Sequence, residues 1–150
     1  MATDRGIYIS RSEEDTRNFG REFSGTLTGG NVILLFGDLG AGKTVFVRGV
    51  CEALGISGVR SPSFTLINEY ESPSGLLIIH ADLYRLDPEG VSATGLDEYA
   101  GDDDAVLFVE WPERWHNPPA DSVRIYFGSL SENERTIRIE GGIVTGNKNL

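Results

Sequence analysis

Gly37-Asp38-Leu39-Gly40-Ala41-Gly42-Lys43-Thr44 decides the fold, because it fits G-x-x-x-x-G-K-[ST] and stands between a strand-like run and a helical pattern. A polyphosphate needs many donors at short range. Gly37, Gly40 and Gly42 let the backbone curl so that successive N–H groups point inward without a Cβ in the way. The helix that follows adds its positive dipole end and its unpaired N–H groups. The candidate phosphate-binding residues are therefore Asp38, Leu39, Gly40, Ala41, Gly42, Lys43 and Thr44, with Val45 next in the helix. At this spacing Lys43 reaches the β- and γ-phosphates as a point charge, and the Thr44 hydroxyl ligates a Mg²⁺ that bridges them. Glycine-rich turns also serve as plain strand-to-helix connectors, but a connector has no use for a Lys-Thr pair at this place.

Outward from the loop, Val32-Ile33-Leu34-Leu35-Phe36 is apolar without alternation, the pattern of a parallel strand covered on both faces. Val47, Val50, Cys51 and Leu54 fall at helical spacing, which predicts a helix over 43–54 stopped by Gly55. Upstream, Ile7-Tyr8-Ile9 reads as a short edge strand and Ser12 as a helix N-cap followed by Glu13, Glu14 and Asp15. Phe19, Phe23 and Leu27 extend that helix to Gly29-Gly30. Downstream, 56–63 is a loop and 64–70 is extended. Residues 71–75 are too short for a parallel crossover, so 64–70 and 76–82 should pair antiparallel. Asp87-Pro88 opens one or two short helices over 88–100. Asp102, Asp103 and Asp104 form an exposed turn, Ala105–Val109 is a second fully apolar strand, and 122–128 with 134–140 alternate as a half-buried hairpin. The fold class expected is α/β, a P-loop NTPase-like three-layer domain with a mixed, mostly parallel sheet and an antiparallel hairpin. Residues 1–150 read as one domain, frayed in a polar tail from about residue 143.

In open α/β sheets ligands bind where strands stop, and two acids sit at such ends, Asp82 and Glu110. Beside a phosphate loop an acid holds Mg²⁺, directly or through its water shell, or orients an attacking water. Glu110 is the better match, and the longer side chain than the usual Asp suits it to act through water. Asp82 is the other candidate metal ligand, and the division of labour between them stays open. Surface carboxylates at strand ends are common, so it is the neighbouring loop that gives these two their interest. Lys43, Asp82 and Glu110 are the catalytic candidates, and Thr44, Asp82 and Glu110 the metal ligands. His80 can bond phosphate, although a His in an apolar strand is more often a satisfied core residue. Trp111 and Trp115 can cover a base or simply pack. Arg60, Arg85 and Arg114 can stabilise transferred phosphoryl charge or form surface ion pairs. Asn147-Lys148-Asn149-Leu150 lacks the Asp of a guanine-reading N-K-x-D, which leaves adenine as the default base.

A net charge of −10 repels a phosphate backbone, so unaided nucleic-acid binding is not expected. The single Cys51 makes no internal disulfide, Asp4 and Arg5 stand where a secretory segment would be apolar, and no apolar run has membrane-spanning length. The expectation is a soluble cytoplasmic protein without membrane contact.

Five linked motifs, in order, resemble one family: Gly37–Thr44, Ser61-Pro62-Ser63-Phe64-Thr65-Leu66 with Glu69-Tyr70, His80-Ala81-Asp82-Leu83-Tyr84-Arg85-Leu86, Gly95-Leu96-Asp97-Glu98-Tyr99, and Val109-Glu110-Trp111-Pro112-Glu113-Arg114. The chain resembles the TsaE family, formerly YjeE, over about residues 10 to 140. The resemblance implies an ATPase, slow alone, needed for threonylcarbamoyl modification of adenosine 37 in tRNA. It implies ATP and Mg²⁺ as cofactors and docking on the TsaB and TsaD proteins, with tRNA met only through them. By position, Lys43 and Thr44 hold phosphate and metal, Asp82 and Glu110 are the acidic site residues, and Ser61–Phe64 is a switch-like loop near the γ-phosphate. Ser63 stands where the family usually has Thr; a hydroxyl is kept, so its hydrogen bond is expected to survive. The alternative is a small-molecule kinase using the same loop, against which stand the scattered arginines. A third reading is a nucleotide-dependent binding protein with no useful turnover.

Overall fold

The computed structural model describes residues 6–38 and 40–141. Leu39 and the polar tail, with its partial N-K-x-D, lie outside the described residues. Among the described residues seven strands form one sheet in the order β1-β7-β6-β2-β5-β4-β3. These are β1 (Ile7–Ser10), β2 (Val32–Phe36), β3 (Ile67–Glu71), β4 (Leu77–Asp82), β5 (Ala105–Glu110), β6 (Val123–Ser129) and β7 (Arg135–Gly141). At the centre β6, β2, β5 and β4 run parallel, while β3 and the β7–β1 pair close the sides antiparallel. The expected mixed sheet is thus present. The 122–140 hairpin does more than edge it, because β6 pairs directly with β2, and β1 covers β7.

Strand alternation sorts the core into two layers. Ile33, Leu35, Ile78, Val106 and Phe108 face the helices α1 (Glu13–Phe23) and α2 (Lys43–Ala53). Val32, Leu34, Ile79, Leu107 and Val109 face α3 (Pro88–Ala93) and α4 (Leu96–Ala100) with Trp115. Strand β2 is apolar at every position, and β5 at all but its last, because both of their faces are covered. This is the three-layer arrangement read from the unbroken runs.

The caps follow the sequence. Ser12 accepts the Asp15 N–H at 3.0 Å, and Asp87 accepts that of Gly90 at 2.7 Å ahead of Pro88. Gly55 ends α2 at φ +85°. Two boundaries differ from expectation. Helix α1 stops at Phe23, short of Leu27, because the hydroxyls of Ser24 and Thr26 take the carbonyls of Arg21 and Phe23 and wind a 3-10 turn. Leu27 still packs on the same core layer. Strand β3 starts at Ile67, not at Phe64, since Leu66 adopts φ +71° and its N–H closes a turn onto the Pro62 carbonyl at 2.8 Å. Asp102–Asp104 form the expected exposed turn, closed by an Asp104 N–H to Asp102 carboxylate bond of 2.8 Å. Among the described residues no helix is long and apolar enough to cross a membrane.

Candidate active site

The loop after β2 curls as its glycines require. Gly42 sits at φ +101° as the N-cap of α2, and a Cβ on Gly37 would stand 2.8 Å from the Phe127 carbonyl oxygen. Ala41 is buried and donates its N–H to the Asp38 carbonyl at 3.1 Å, while the Asp38 side chain stays exposed. Lys43 and Thr44 are the first two residues of α2. The Lys43 side chain is buried at 4 % exposure; its ammonium donates to the Gly37 carbonyl and lies 4.7 Å from the centre of the Trp111 ring. Burial lowers the Lys43 pKa, and the charges of Glu110 and Asp82 only partly oppose that.

The two strand-end acids arrive on the same face as α2. Alternation puts Ile78, His80 and Asp82 of β4, and Val106, Phe108 and Glu110 of β5, on one side of the sheet. The parallel register sets Asp82 opposite Glu110 and His80 opposite Phe108, which makes His80 the diagonal neighbour of Glu110. His80 Nε2 lies 2.6 Å from Glu110 Oε2, and the Thr44 hydroxyl donates to the same oxygen at 3.2 Å. Burial pushes the Glu110 carboxyl up, but the His80 hydrogen bond and ring, the Lys43 charge and Thr44 together prevail and hold it below the usual range. Asp82 goes the other way: burial raises its pKa, the Glu110 charge adds to that, and the Tyr84 N–H bond of 2.9 Å opposes it.

These side chains open on a cavity of about 540 Å³. Gly40, Gly42, Lys43, Thr44 and Val45 line it together with Asp82 and Glu110, and Ser61 and Ser63 add two hydroxyls to the lining. Ser61 and Ser63 share a hydroxyl contact of 2.7 Å. Their loop is tied to the acids because the Asp82 N–H donates to the Leu66 carbonyl at 2.9 Å. Thr44, Asp82 and Glu110 offer only oxygen donors, which fits Mg²⁺, an ion bound through one or two carboxylates together with phosphates. Among the described residues no group of three or more His, Cys, Asp or Glu side chains forms a metal cage on its own. The arrangement therefore suits a metal shared with a phosphate ligand.

Several residues stand elsewhere than the sequence suggested. His80 is fully buried as a core histidine would be, yet it bonds a site carboxylate, and its Nδ1 has no partner among the described residues. Trp115 packs in the core and donates to Asp97 at 3.0 Å, whereas Trp111, at φ +57°, is half-buried beside Lys43. Arg85 lies over the exposed Phe64 ring at 5.0 Å and Arg114 over Tyr84 at 5.9 Å. Arg60 uses its backbone, accepting from Asn68 at 3.2 Å and donating to the Tyr70 hydroxyl at 3.0 Å. Arg135, at the start of β7, also lines the cavity, together with Ser12, the N-cap of α1, and Thr16 in its first turn. Nothing local in the sequence marks Arg135, because the contact depends on β6 lying beside β2.

The family model described as "Threonylcarbamoyl adenosine biosynthesis protein TsaE" matches residues 10–137. Among curated proteins, a tRNA threonylcarbamoyladenosine biosynthesis protein TsaE from Aquifex aeolicus is 45% identical over 134 residues, 87% of this chain and 92% of its own length. Proteins of the same name from a Nostoc species and from Bacillus subtilis are 39% and 38% identical, over 85% and 83% of this chain and 80% and 78% of their own. The crystal structure of YdiB from Bacillus subtilis superposes with a TM-score of 0.72 at 32% identity, covering 95% of this chain and 86% of that one. With the phosphate loop, the paired strand-end acids and the sheet order already in place, these likenesses lead to one conclusion: the chain belongs to the TsaE family.

Proposed function

We propose that the chain binds ATP with Mg²⁺ and hydrolyses it, slowly alone and faster with partners, in the cytoplasm, and that this turnover serves threonylcarbamoyl modification of adenosine 37 in tRNA. The observation that carries the reading is the convergence at the start of α2, where Lys43 and Thr44 meet the buried Glu110. Lys43 gives up the Gly37 carbonyl for phosphate oxygens, and the N–H groups of Gly40 to Val45 take the rest of the chain. Thr44, Asp82 and Glu110 would hold the metal, directly or through its water shell, where it would neutralise the charge that develops on the phosphates.

Glu110 Oε2 is occupied by His80 and Thr44, which leaves Oε1 to accept a proton from, or orient, an attacking water. His80 holds the carboxylate in that pose. Ser63 donates to the γ-phosphate from the 58–64 loop, so that the loop is ordered before hydrolysis and released after it. The partners are the TsaB and TsaD proteins, and the acidic chain leaves tRNA contact to them. Phosphate release measured with and without TsaB and TsaD, alongside tRNA modification with this protein present or omitted, tests the reading. Partner-stimulated release and a requirement in modification support it. Transfer of the phosphate to a metabolite would make the protein a kinase instead, and tight ATP binding without release would make it a binding protein.

A further inference from the structure

Resting on the reading of Gly37–Thr44 as a triphosphate loop, we propose that Leu66 is a positioning residue of the site, a strained backbone joint that couples the turn carrying Ser63 to the acid Asp82. Among the described residues two non-glycines have a left-handed backbone, Leu66 at φ +71° and Trp111 at φ +57°. Each adjoins an acid of the site. Trp111 directly follows Glu110, and the Leu66 carbonyl accepts the Asp82 N–H at 2.9 Å. A left-handed leucine crowds its Cβ against the carbonyl oxygen, a penalty of about tenfold in population. Such strain persists only where the surroundings enforce it, and it gathers at binding sites and switch segments.

The turn itself enforces it here. Ser63–Thr65 make a single turn, which the Leu66 N–H closes on the Pro62 carbonyl at 2.8 Å, the left-handed stop that glycine usually supplies. Pro62 is buried, but Phe64 is 83 % exposed and Thr65 is exposed as well. Apart from Pro62 the segment therefore has little apolar burial to hold it. The Thr65 hydroxyl donates to Asn68 at 2.6 Å across the joint, in contact with solvent. A segment held by a few backbone bonds at one residue is one that opens locally.

Rotation of Leu66 to negative φ breaks its two bonds together. The Ser63 hydroxyl then leaves the cavity lining, and the Asp82 N–H loses its acceptor. Ser63 and Asp82 thus stand on the two sides of one joint. A ligand that engages both selects the strained turn, and one that falls short of Ser63 leaves Leu66 free to relax. A triphosphate reaches that far and a diphosphate does not, so the state of the nucleotide is read as a backbone rotation.

Amide hydrogen exchange followed by NMR tests the joint, with the protein free, with MgADP and with Mg²⁺ and a non-hydrolysable ATP analogue. In the wild type the Leu66 and Asp82 amides should open together, and the analogue should slow both at least about fivefold more than ADP does. Without ligand, Leu66→Gly removes the Cβ penalty and should slow exchange at Asp82 about fivefold, while the β-branched Leu66→Val should speed it by about as much. Both variants should bind ADP within about twofold of wild type, because the phosphate loop is untouched. Exchange at Asp82 that is the same in all three proteins, or that ADP and the analogue slow alike, would overturn the joint while leaving the phosphate loop intact. Binding of neither nucleotide by wild-type protein would overturn the loop reading and the joint with it.

Discussion

Glu110 Oε2 receives two donors, and the geometry of each suggests a different experiment. His80→Leu removes the 2.6 Å partner of a buried carboxylate, a bond to a charged group of the kind worth about 1.5–3 kcal/mol. Partner-stimulated phosphate release should then fall about tenfold or more in kcat with little change in KM, and His80→Gln, whose amide can still donate, should recover part of it. A loss confined to thermal stability, equal in both variants, would make His80 a packing residue only. Glu110→Ala should lower turnover more than ATP affinity, whereas Lys43→Ala or Thr44→Ala should abolish productive MgATP binding in a titration. Lys43, Thr44, Asp82 and Glu110 were readable at this scale because motif and strand end fixed where each had to lie. His80 was readable only as a buried histidine. Its partnership with Glu110 is a diagonal contact between strands, and no spacing within one strand contains it.

At the scale of elements, α1 and α2 touch through glycines. A Cβ on Gly20 would stand 2.3 Å from the Phe46 carbonyl oxygen, and one on Gly49 2.0 Å from that of Arg17. Neither obstacle is a flexible side-chain end, so the helices must part to admit a methyl group. Gly20→Ala and Gly49→Ala should each cost about 1–3 kcal/mol, despite the higher helix propensity of Ala, and a denaturant melt measures it. Because α2 begins at the phosphate loop, the same variants should weaken MgATP binding. The strands, α2 and the short helices near Pro88 were legible because apolar runs, Asp87-Pro88 and Gly55 each carry a local physical signal. The end of α1 was not, since Phe23 and Leu27 keep helical spacing while the Ser24 and Thr26 hydroxyls capture the carbonyls. The insertion of β6 beside β2 was equally hidden, for alternation identifies a hairpin but not its neighbour. The β6–β7 turn, with Arg135, therefore came to the cavity unannounced.

Over the whole molecule, a net charge of −10 should leave the isolated protein without measurable affinity for tRNA at physiological salt, and a gel-shift or fluorescence titration checks it. Stability should also depend on alkaline pH through Cys51, which is fully enclosed on the buried face of α2. Burial pushes its thiol up to about 12 from about 9, so the native chain keeps a proton that the unfolded chain releases. That stabilisation is complete below about pH 9 and is lost as pH rises toward about 12, by up to about 1.4 kcal/mol per unit. Between pH 8 and pH 10 the wild type should lose about 1.4 kcal/mol more unfolding free energy than Cys51→Ala, and the native thiol should resist alkylation. A last consequence comes from β1 lying against β7, with Ile7 opposite Arg138. The last described strand thus returns to the first, so a short flexible bridge from Gly141 to Gly6 has little distance to span. A circular permutant reopened between Ser74 and Gly75, in the exposed β3–β4 bend, should keep its cooperative melt and its nucleotide affinity, with only the outermost ribbon loosened.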